Sequence, residues 1–484
     1  MTTGPLVVKR SPVRLKADAS LTITRFFWLG ADRAQNVIAR INALDDEQVR
    51  RLLDSTRANF AHLPAGLENI FLAHYEQAAK RVAMPPDASE ERKLYIGACF
   101  TMEYAFASAA MFNPSMTPAI DQSGLESGSL RFVMSLRAVG EGHLSSIVFR
   151  RGIIHAGGEI VLEAAGPYHE PMRRAEYERF SKAKFRVKLA ELGVRDTIME
   201  VVLRKLGERF TAEELREAIN GPQAVVEGLL RPDSESAGFE WLAGCDYDIE
   251  TSPDSRITDA VLFPICEAES QGMEDMRIVR FTDDDGSVRY YGTYTAYNGR
   301  QILPQIVEMR EPSVARVRTL HGRCARNKGL ALFPRKVGGC FMMSGRIDGE
   351  NLFILRSDNV LIWDEAVKVQ EPRFPWEVIQ IGNCGSPIET EAGWLLLTHG
   401  VGPMRHYCIG AMLLDRDDPT KVLSRLAEPL LMANLEERKG YVPNVVYSCG
   451  GLVHNGLLVI PYGISDAAAG FATVPLDDVL ARLA

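Results

Sequence analysis

The chain has 484 residues, 46% hydrophobic and 24% charged, with a formal charge of -8. Those proportions belong to a folded globular protein rather than a disordered or fibrous one. The acidic balance argues against nucleic acid as a partner, and no apolar run reaches membrane-spanning length.

The opening segment, MTTGPLVVKRSPVRLKAD, lacks the apolar stretch of a secretory leader, so a cytoplasmic protein is expected. Eight cysteines are scattered without a CxxC pair, which fits reduced thiols better than a disulfide frame or a zinc site. No metal-ligand spacing occurs, and none is expected to be needed. Residues 31 to 82 read as helix, because DDEQVRRLLDSTRANF and LENIFLAHYEQAAKRV repeat apolar residues at i, i+3, i+4. MPPDASEER (Met84–Arg92) breaks the pattern, and a β-like region follows. Helix returns across Glu170–Pro222, punctuated by Gly193, Gly207 and Gly221-Pro222. Its basic run, Arg173–Lys188, reads as a solvated amphipathic face or, with less support, an acceptor-side wall or subunit contact. The division expected is a helical N-terminal extension over 1–93 and a β domain over 94–484 carrying a helical insertion at 170–222.

From about Glu240 onward, short apolar strands and polar turns alternate. Five units share one form, strand, turn, strand: LRFVMSLRA with SSIVFRRG, VRYYGTYTAYNG with ILPQIVEM, GCFMMSGRIDGE with NLFILRSDN, GWLLLTHGVGPMR with YCIGAMLLD, and GLLVIPYGISDAA with GFATVPLD. The last four begin near residues 288, 339, 393 and 456, intervals close to those of propeller blades. A β-sandwich also supplies many short strands. The repeated two-strand unit favours an all-β five-bladed propeller with an added helical N-terminal region and the helical insertion.

In a propeller the inner strand ends meet at one mouth, a natural concave site. The units carry polar residues at matching places: Arg137, Tyr294, Arg346, His399 and Asp466, with Glu274 and Asp275 just ahead of the second unit. Singly, each reads as an ordinary surface or turn residue; the recurrence is what favours a shared site.

Several segments carry a more specific signal. AAMFNPSM, GMEDMRIV, ALFPRKVGG, IGNCGSPIETEAGWLLLTHGV, GAMLLDRDDPTKVLSRLAEPLL, GYVPNVVYSCG and YGISD resemble glycoside hydrolase family 130, the β-mannoside phosphorylases and their mannosidase relatives, from about Tyr95 to the C-terminus. The helical N-terminal region is not part of that family's minimal fold. The resemblance implies a five-bladed propeller acting on β-linked mannosides and inorganic phosphate, without a cofactor, and often as a homo-oligomer. It implies that the family's Glu-Asp-Pro-Arg motif is Glu274-Asp275-Met276-Arg277 here, with Asp275 the general acid, acting directly or through the O3 hydroxyl of the mannose. It assigns phosphate to Arg137, Arg326, Asn327 and His399, and mannose hydroxyls to Arg346 and Asp466; Tyr294 joins the substrate-binding candidates by its matching place in the second repeated unit. Glu274 is assigned to substrate hydroxyls or to the backbone. Gln380 stands where the family pattern has a lysine.

The activity implied is inverting phosphorolysis of β-mannosides to α-mannose 1-phosphate, reversible. Hydrolysis would need a second carboxylate to activate water, and Glu274, Glu308 and Glu389 are its candidates. Use of mannose 1-phosphate as donor, in effect mannosyl transfer, and a catalytically silent carbohydrate-binding propeller are the other readings.

Overall fold

The computed structural model describes residues 6–63, 66–166, 169–175, 179–220, 236–252, 255–309 and 314–483. Helices α1 (Ala31–Asn42), α2 (Asp46–Asn59), α3 (Leu67–Ala79) and α4 (Glu90–Cys99) come first. Asp45 begins α2 with a reciprocal cap: its carboxylate accepts the Gln48 N–H at 2.8 Å, and the Gln48 side chain accepts the Asp45 N–H at 3.0 Å. Ser89 caps α4, its Oγ accepting the Arg92 N–H at 3.3 Å; the helix takes in the end of the expected break and the start of the expected β region. Helices α5 (Lys182–Glu191), α6 (Asp196–Leu203), α7 (Ala212–Asn220) and α8 (Ser236–Cys245) follow in the insertion, and α9 (Leu476–Arg482) ends the chain.

Five antiparallel-based sheets of four to six strands make up most of the rest. The first is built on Ala110–Pro118, Leu130–Val139 and Ser145–Ile154, and the second on Met273–Thr282, Val288–Tyr297, Ile302–Met309 and Val314–Thr319. The third uses Ala331–Leu332, Phe341–Gly345, Leu352–Ser357 and Glu365–Gln370. The fourth uses Gln380–Asn383, Gly393–Gly402, His406–Leu414 and Val422–Arg425; the fifth uses Val446–Tyr447, Leu457–Ile464 and Ala468–Pro475. The strand pairs of the five repeated units are thus the second and third strands of these sheets.

Hydrogen bonds tie each sheet to the next. Ser115 Oγ accepts the Ile278 N–H at 3.0 Å between the first and second sheets. The Thr282 N–H donates to Pro334 O at 2.9 Å between the second and third. The Ile381 N–H donates to Glu350 O at 2.9 Å between the third and fourth, and the Tyr407 N–H to Asn444 O at 3.1 Å between the fourth and fifth. The Cys449 N–H donates to Pro114 O at 2.9 Å, linking the fifth sheet back to the first. Apolar side chains fill each junction, for example Phe281, Leu332, Met343 and Trp363 between the second and third sheets. Each such fully buried large side chain contributes roughly 1.5–3 kcal/mol.

Two departures from the sequence reading matter. The N-terminal region is not only helical: Lys9–Lys16 is a strand that pairs with Ala468–Pro475 on the edge of the fifth sheet. Short strands stand where helix was expected: Glu170–Pro171 joins the first sheet, Arg173–Ala175 the second, and Phe180–Ser181 pairs with Arg209–Phe210. Their apolar residues are too sparse for a helix to bury, whereas a free sheet edge satisfies the backbone. Gly193, with φ +80, follows α5 as expected; Gly221 and Pro222 lie outside the described residues.

Candidate active site

The first strands of the first and second sheets carry the same irregularity. Phe112 pairs with Arg137 and Ser115 with Ser135, so one residue is extra; Glu274 pairs with Thr295 and Arg277 with Thr293, again with one extra. Each is a β-bulge, which re-aims a side chain out of the pleat. Asn113 and Asp275 occupy equivalent places and share a left-handed backbone, φ +48 and +51. Asn and Asp are the non-glycine residues that tolerate this region best, at a cost other side chains would not recover.

The two re-aimed side chains meet. Asn113 Nδ2 donates to Asp275 Oδ1 at 2.9 Å, and Arg137 Nη1 lies 3.7 Å from the same oxygen. Arg137 Nη2 donates to Glu274 Oε1 at 3.1 Å, while Lys328 Nζ bonds the other oxygen of Glu274. Arg277 is 2% exposed; its Nη1 donates to the Asp275 carbonyl at 2.8 Å, its Nη2 to Tyr447 Oη at 2.7 Å and its Nε to Cys384 O at 3.1 Å.

Three glycines leave room for the rest. A Cβ on Gly329 would lie 3.6 Å from Asn383 Oδ1, 3.9 Å from Arg277 Nη2 and 4.0 Å from Arg346 Cβ, so these three side chains border one space. A Cβ on Gly382 would stand 2.6 Å from His399 Cε1 and 3.0 Å from Arg346 Cδ. One on Gly463 would stand 2.7 Å from Asn113 Oδ1, which sets the fifth sheet's last hairpin against the first bulge. That hairpin turns through Ser465 and Asp466, φ +49 and +51, closed by the Ala467 N–H on Ile464 O at 3.0 Å: the paired left-handed residues of a type I′ turn.

The electrostatics follow from this crowding. Burial pushes the Asp275 carboxyl up, but the guanidiniums of Arg137 and Arg277, the Asn113 amide and Lys328 outweigh it and hold it below the usual carboxylate range. Asp466 goes the other way, to about 6, through burial and the neighbouring negative charge of Asp275. Burial, with Arg346 and Arg277 nearby, keeps His399 neutral. Its Nδ1 lies 3.2 Å from Asn383 O, an acceptor, so the proton belongs there and Nε2 presents a lone pair. Several buried polar atoms around this space have no hydrogen-bond partner among the described residues: Asn113 Oδ1, Arg137 Nε, Arg346 Nε, Asn383 Oδ1 and Ser386 Oγ. A ligand rich in hydroxyls and negative charge suits such a set.

The family described as β-1,4-mannooligosaccharide phosphorylase, glycoside hydrolase family 130, matches residues 250–484. A 1,2-β-oligomannan phosphorylase of Thermoanaerobacter is 32% identical over 236 residues, which cover 46% of this chain and 75% of that protein. A β-1,2-mannobiose phosphorylase of the same organism is 33% identical over 228 residues, 46% of this chain and 74% of that protein. The chain belongs to glycoside hydrolase family 130. Among solved structures, the β-1,2-mannobiose phosphorylase of Listeria innocua aligns over 78% of this chain and 92% of its own, with 19% identity and a TM-score of 0.45, a likeness that adds no weight to the sequence match.

Of the candidate residues that the sequence singles out, the structure brings together Asp275, Glu274, Arg137, Arg346, His399 and Asp466. It does not bring Tyr294 to them. Tyr294 is 3% exposed and its hydroxyl bonds Glu269 at 2.8 Å and Gln305 on the opposite face of the second sheet. The residue equivalent to Arg137, opposite the position before the bulge, is Thr295; a one-residue slip reverses the face. Arg326 is exposed, with no side-chain bond among the described residues. Asn327 takes φ +65, and its Oδ1 accepts the Lys328 N–H at 2.9 Å. In that run it is Lys328 that reaches the cluster. Gln380 approaches His399 only loosely, Nε2 to Nε2 at 3.5 Å.

Asn113, Arg277, Asn383 and Tyr447 were not singled out by sequence as site residues. All four sit on the first strands of their sheets, two of which have only two to four residues, Gln380–Asn383 and Val446–Tyr447. Strands that short leave no periodic signal. FNPS against EDMR was the one trace available, since the two bulges repeat a polar residue at the same offset.

Proposed function

We propose that the chain is a glycoside phosphorylase that converts a β-mannoside and inorganic phosphate to α-mannose 1-phosphate and the shortened acceptor, with inversion. The names of its relatives, phosphorylases of β-1,2- and β-1,4-linked mannosides, support that chemistry. The single observation that carries it is a carboxylate, Asp275, set among the cations Arg137, Arg277 and Lys328, with Arg346 bordering the same space as Arg277, a surround that suits an anionic nucleophile. Of the three candidate bases for hydrolysis, Glu308 is paired with Arg289 at 3.1 Å and Glu389 with Arg335 at 2.9 Å on outer strands, and Glu274 is held between Arg137 and Lys328. None of these three is free to activate water, whereas phosphate arrives as its own anionic nucleophile.

In this reading a phosphate oxygen attacks the anomeric carbon from the α side, the glycosidic C–O bond breaks, and the leaving oxygen takes a proton originating at Asp275. An acid must hold its proton at working pH. In the free chain Arg137, Arg277 and Lys328 favour the ionised form of Asp275. Phosphate offsets those cations when it binds and raises the Asp275 carboxyl, so the acid is loaded when the nucleophile is present. Asp466 and Asn113 are suited to mannose hydroxyls, and the His399 Nε2 lone pair to the proton of monohydrogen phosphate.

The five larger sheets serve in this reading as the blades of a propeller. The sheet-to-sheet hydrogen bonds, running from the first to the fifth and back to the first, support it, with strand Lys9–Lys16 completing the last blade. Residues from about Thr101 onward form the catalytic domain together with that strand, and α1 to α4 form an extension outside it. The eight free cysteines support a reducing compartment, the cytoplasm. No described helix is long and apolar enough to cross a membrane.

The test is incubation of the protein with α-mannose 1-phosphate and a panel of acceptor sugars. Phosphate release that depends on the acceptor is expected. Mannose release from β-mannosides at a rate indifferent to added phosphate would establish hydrolysis instead.

A further inference from the structure

A cavity of about 340 Å³ shares no residue with the Asp275 cluster. It lies where the insertion meets the outer part of the second and third sheets, between the ribbon Phe180–Ser181/Arg209–Phe210, helix α5 and the segment after strand Val314–Thr319. Its size is that of a small-molecule site.

The lining is one-signed. Arg179, Lys184, Arg209 and Arg318 face a single acidic residue, Asp246. Arg318 is engaged by Tyr247 O at 2.9 Å and by Asp248, and Asp246 accepts the Thr319 N–H at 2.7 Å. Burial pushes the Asp246 carboxyl up, which weakens the one negative charge present. Arg179, Lys184 and Arg209 make no ion pair among the described residues, so three cations stand uncompensated.

His321 supplies a second, independent observation. It lines the cavity, is 4% exposed, and its Nδ1 has no hydrogen-bond partner among the described residues. Its backbone is held on both sides, the N–H to Leu361 O at 2.8 Å and the carbonyl by the Trp363 N–H at 2.7 Å. A buried polar atom left unsatisfied is costly, and a ligand group that reaches it recovers that loss. Phe180, Phe185 and Leu242 complete the wall with apolar surface, which a bare inorganic anion would not use.

We propose that this cavity is a second ligand site, for a phosphate monoester of a compact ring compound: the phosphoryl group held by Lys184, Arg179 and Arg209, the ring body against Phe180 and Phe185, with a polar group on His321 Nδ1. Two sources share this chemistry, the sugar 1-phosphate that the cluster is proposed to release and a nucleoside monophosphate. Charge-assisted contacts from arginine and lysine are the usual means of holding such a group.

Calorimetric titration of the full chain tests it, with inorganic phosphate, α-mannose 1-phosphate and adenosine 5′-monophosphate as probes. Three proteins are compared: the unaltered chain, Lys184→Ala/Arg209→Ala, and Arg346→Ala, each first shown to keep its unfolding midpoint. The expected result is binding of at least one ester that weakens roughly tenfold or more in Lys184→Ala/Arg209→Ala and persists in Arg346→Ala. Persistence with mannose 1-phosphate makes the site a product sensor; persistence with adenosine monophosphate makes it a nucleotide site. The inference is overturned if neither ester shows a component sensitive to Lys184 and Arg209, or if every binding event disappears in Arg346→Ala. Because the proposed reaction is read from Arg346→Ala turnover and this site from Lys184→Ala/Arg209→Ala binding, failure of one leaves the other standing.

Discussion

The first and second sheets solve one geometric problem with one device and two residues. In each, the innermost strand inserts an extra residue and turns it into left-handed backbone: Asn113 before Pro114, Asp275 before Met276. The extra residues sit outside the ladder, which is why a proline is tolerated at 114 without loss of a strand hydrogen bond. The backbone delivers a polar side chain to the centre in both; only the side chain decides whether it arrives as an amide donor or an acid. Position here comes from the fold and chemistry from the residue.

The strongest way to break that comparison is to make the two bulges identical. Asp275→Asn keeps a residue that accepts φ +51 and removes the proton. Turnover is expected to fall by about two to four orders of magnitude with an unchanged unfolding midpoint, read from steady-state rates and thermal unfolding. Normal turnover would show that the second bulge carries no chemistry.

The converse change disables the first bulge. Asn113→Ala loses the 2.9 Å bond to Asp275 and puts a β-carbon in left-handed backbone without a compensating side chain. A stability loss of about 2–3 kcal/mol is expected, from about 1 for the bond and 1–2 for the backbone, and turnover should fall about tenfold through a misplaced acid. Asn113→Gly should recover the backbone part alone. Since the amide lowers the Asp275 pKa, its removal should move the Asp275 limb of the pH profile to higher pH.

How much of this was legible follows the strength of the local signal. The second and third strands of each sheet are long and apolar, and they were readable as pairs. Asp275 was found because the family motif around it survives with Met276 in place of proline. Tyr294 was misread because counting along an isolated strand cannot register a bulge on its neighbour, and one residue of error turns a position facing the cluster into a core one. Strand Lys9–Lys16 went unseen because its apolar alternation, interrupted by Pro12, means little until the far end of the chain supplies an edge. Lys328 was visible as a cation, but its use depends on the left-handed turn at Asn327.

A third test moves to the hairpin that leans on both bulges. Asp466 has a folded pKa of about 6 against an ordinary 3.8, so the folded chain holds the proton more tightly than the unfolded one. Stability therefore falls as pH rises from about 3.8 to 6 and stays reduced above that window. Asp466→Asn, which keeps the left-handed turn, should stabilise the chain at pH 7.5 by roughly 1–2 kcal/mol after allowance for partial exposure, and by little near pH 4. Thermal unfolding at the two pH values reads the difference; a gain that is equal at both would mean the carboxyl is not strained by Asp275. Weaker mannoside binding should accompany the gain, since a stabilising change at a charged site commonly costs function.

The smallest effect on turnover is expected one residue from where the two sheets correspond. Thr295 stands opposite Glu274 as Arg137 stands opposite Phe112, and Tyr294 points the other way, its hydroxyl on Glu269 alongside that of Tyr247. Tyr294→Phe removes one hydroxyl from that buried group and leaves Glu269 with Tyr247 and the backbone N–H groups of Ile265 and Cys266. A loss of about 1–3 kcal/mol in unfolding free energy is expected, because the buried Gln305 Oε1 loses the same hydroxyl. Turnover and the affinity for phosphate should be unchanged within about twofold, because nothing on that face touches the cluster. A tenfold fall in turnover would mean that the face assignment of the second sheet is wrong, and with it the equivalence of the two bulges.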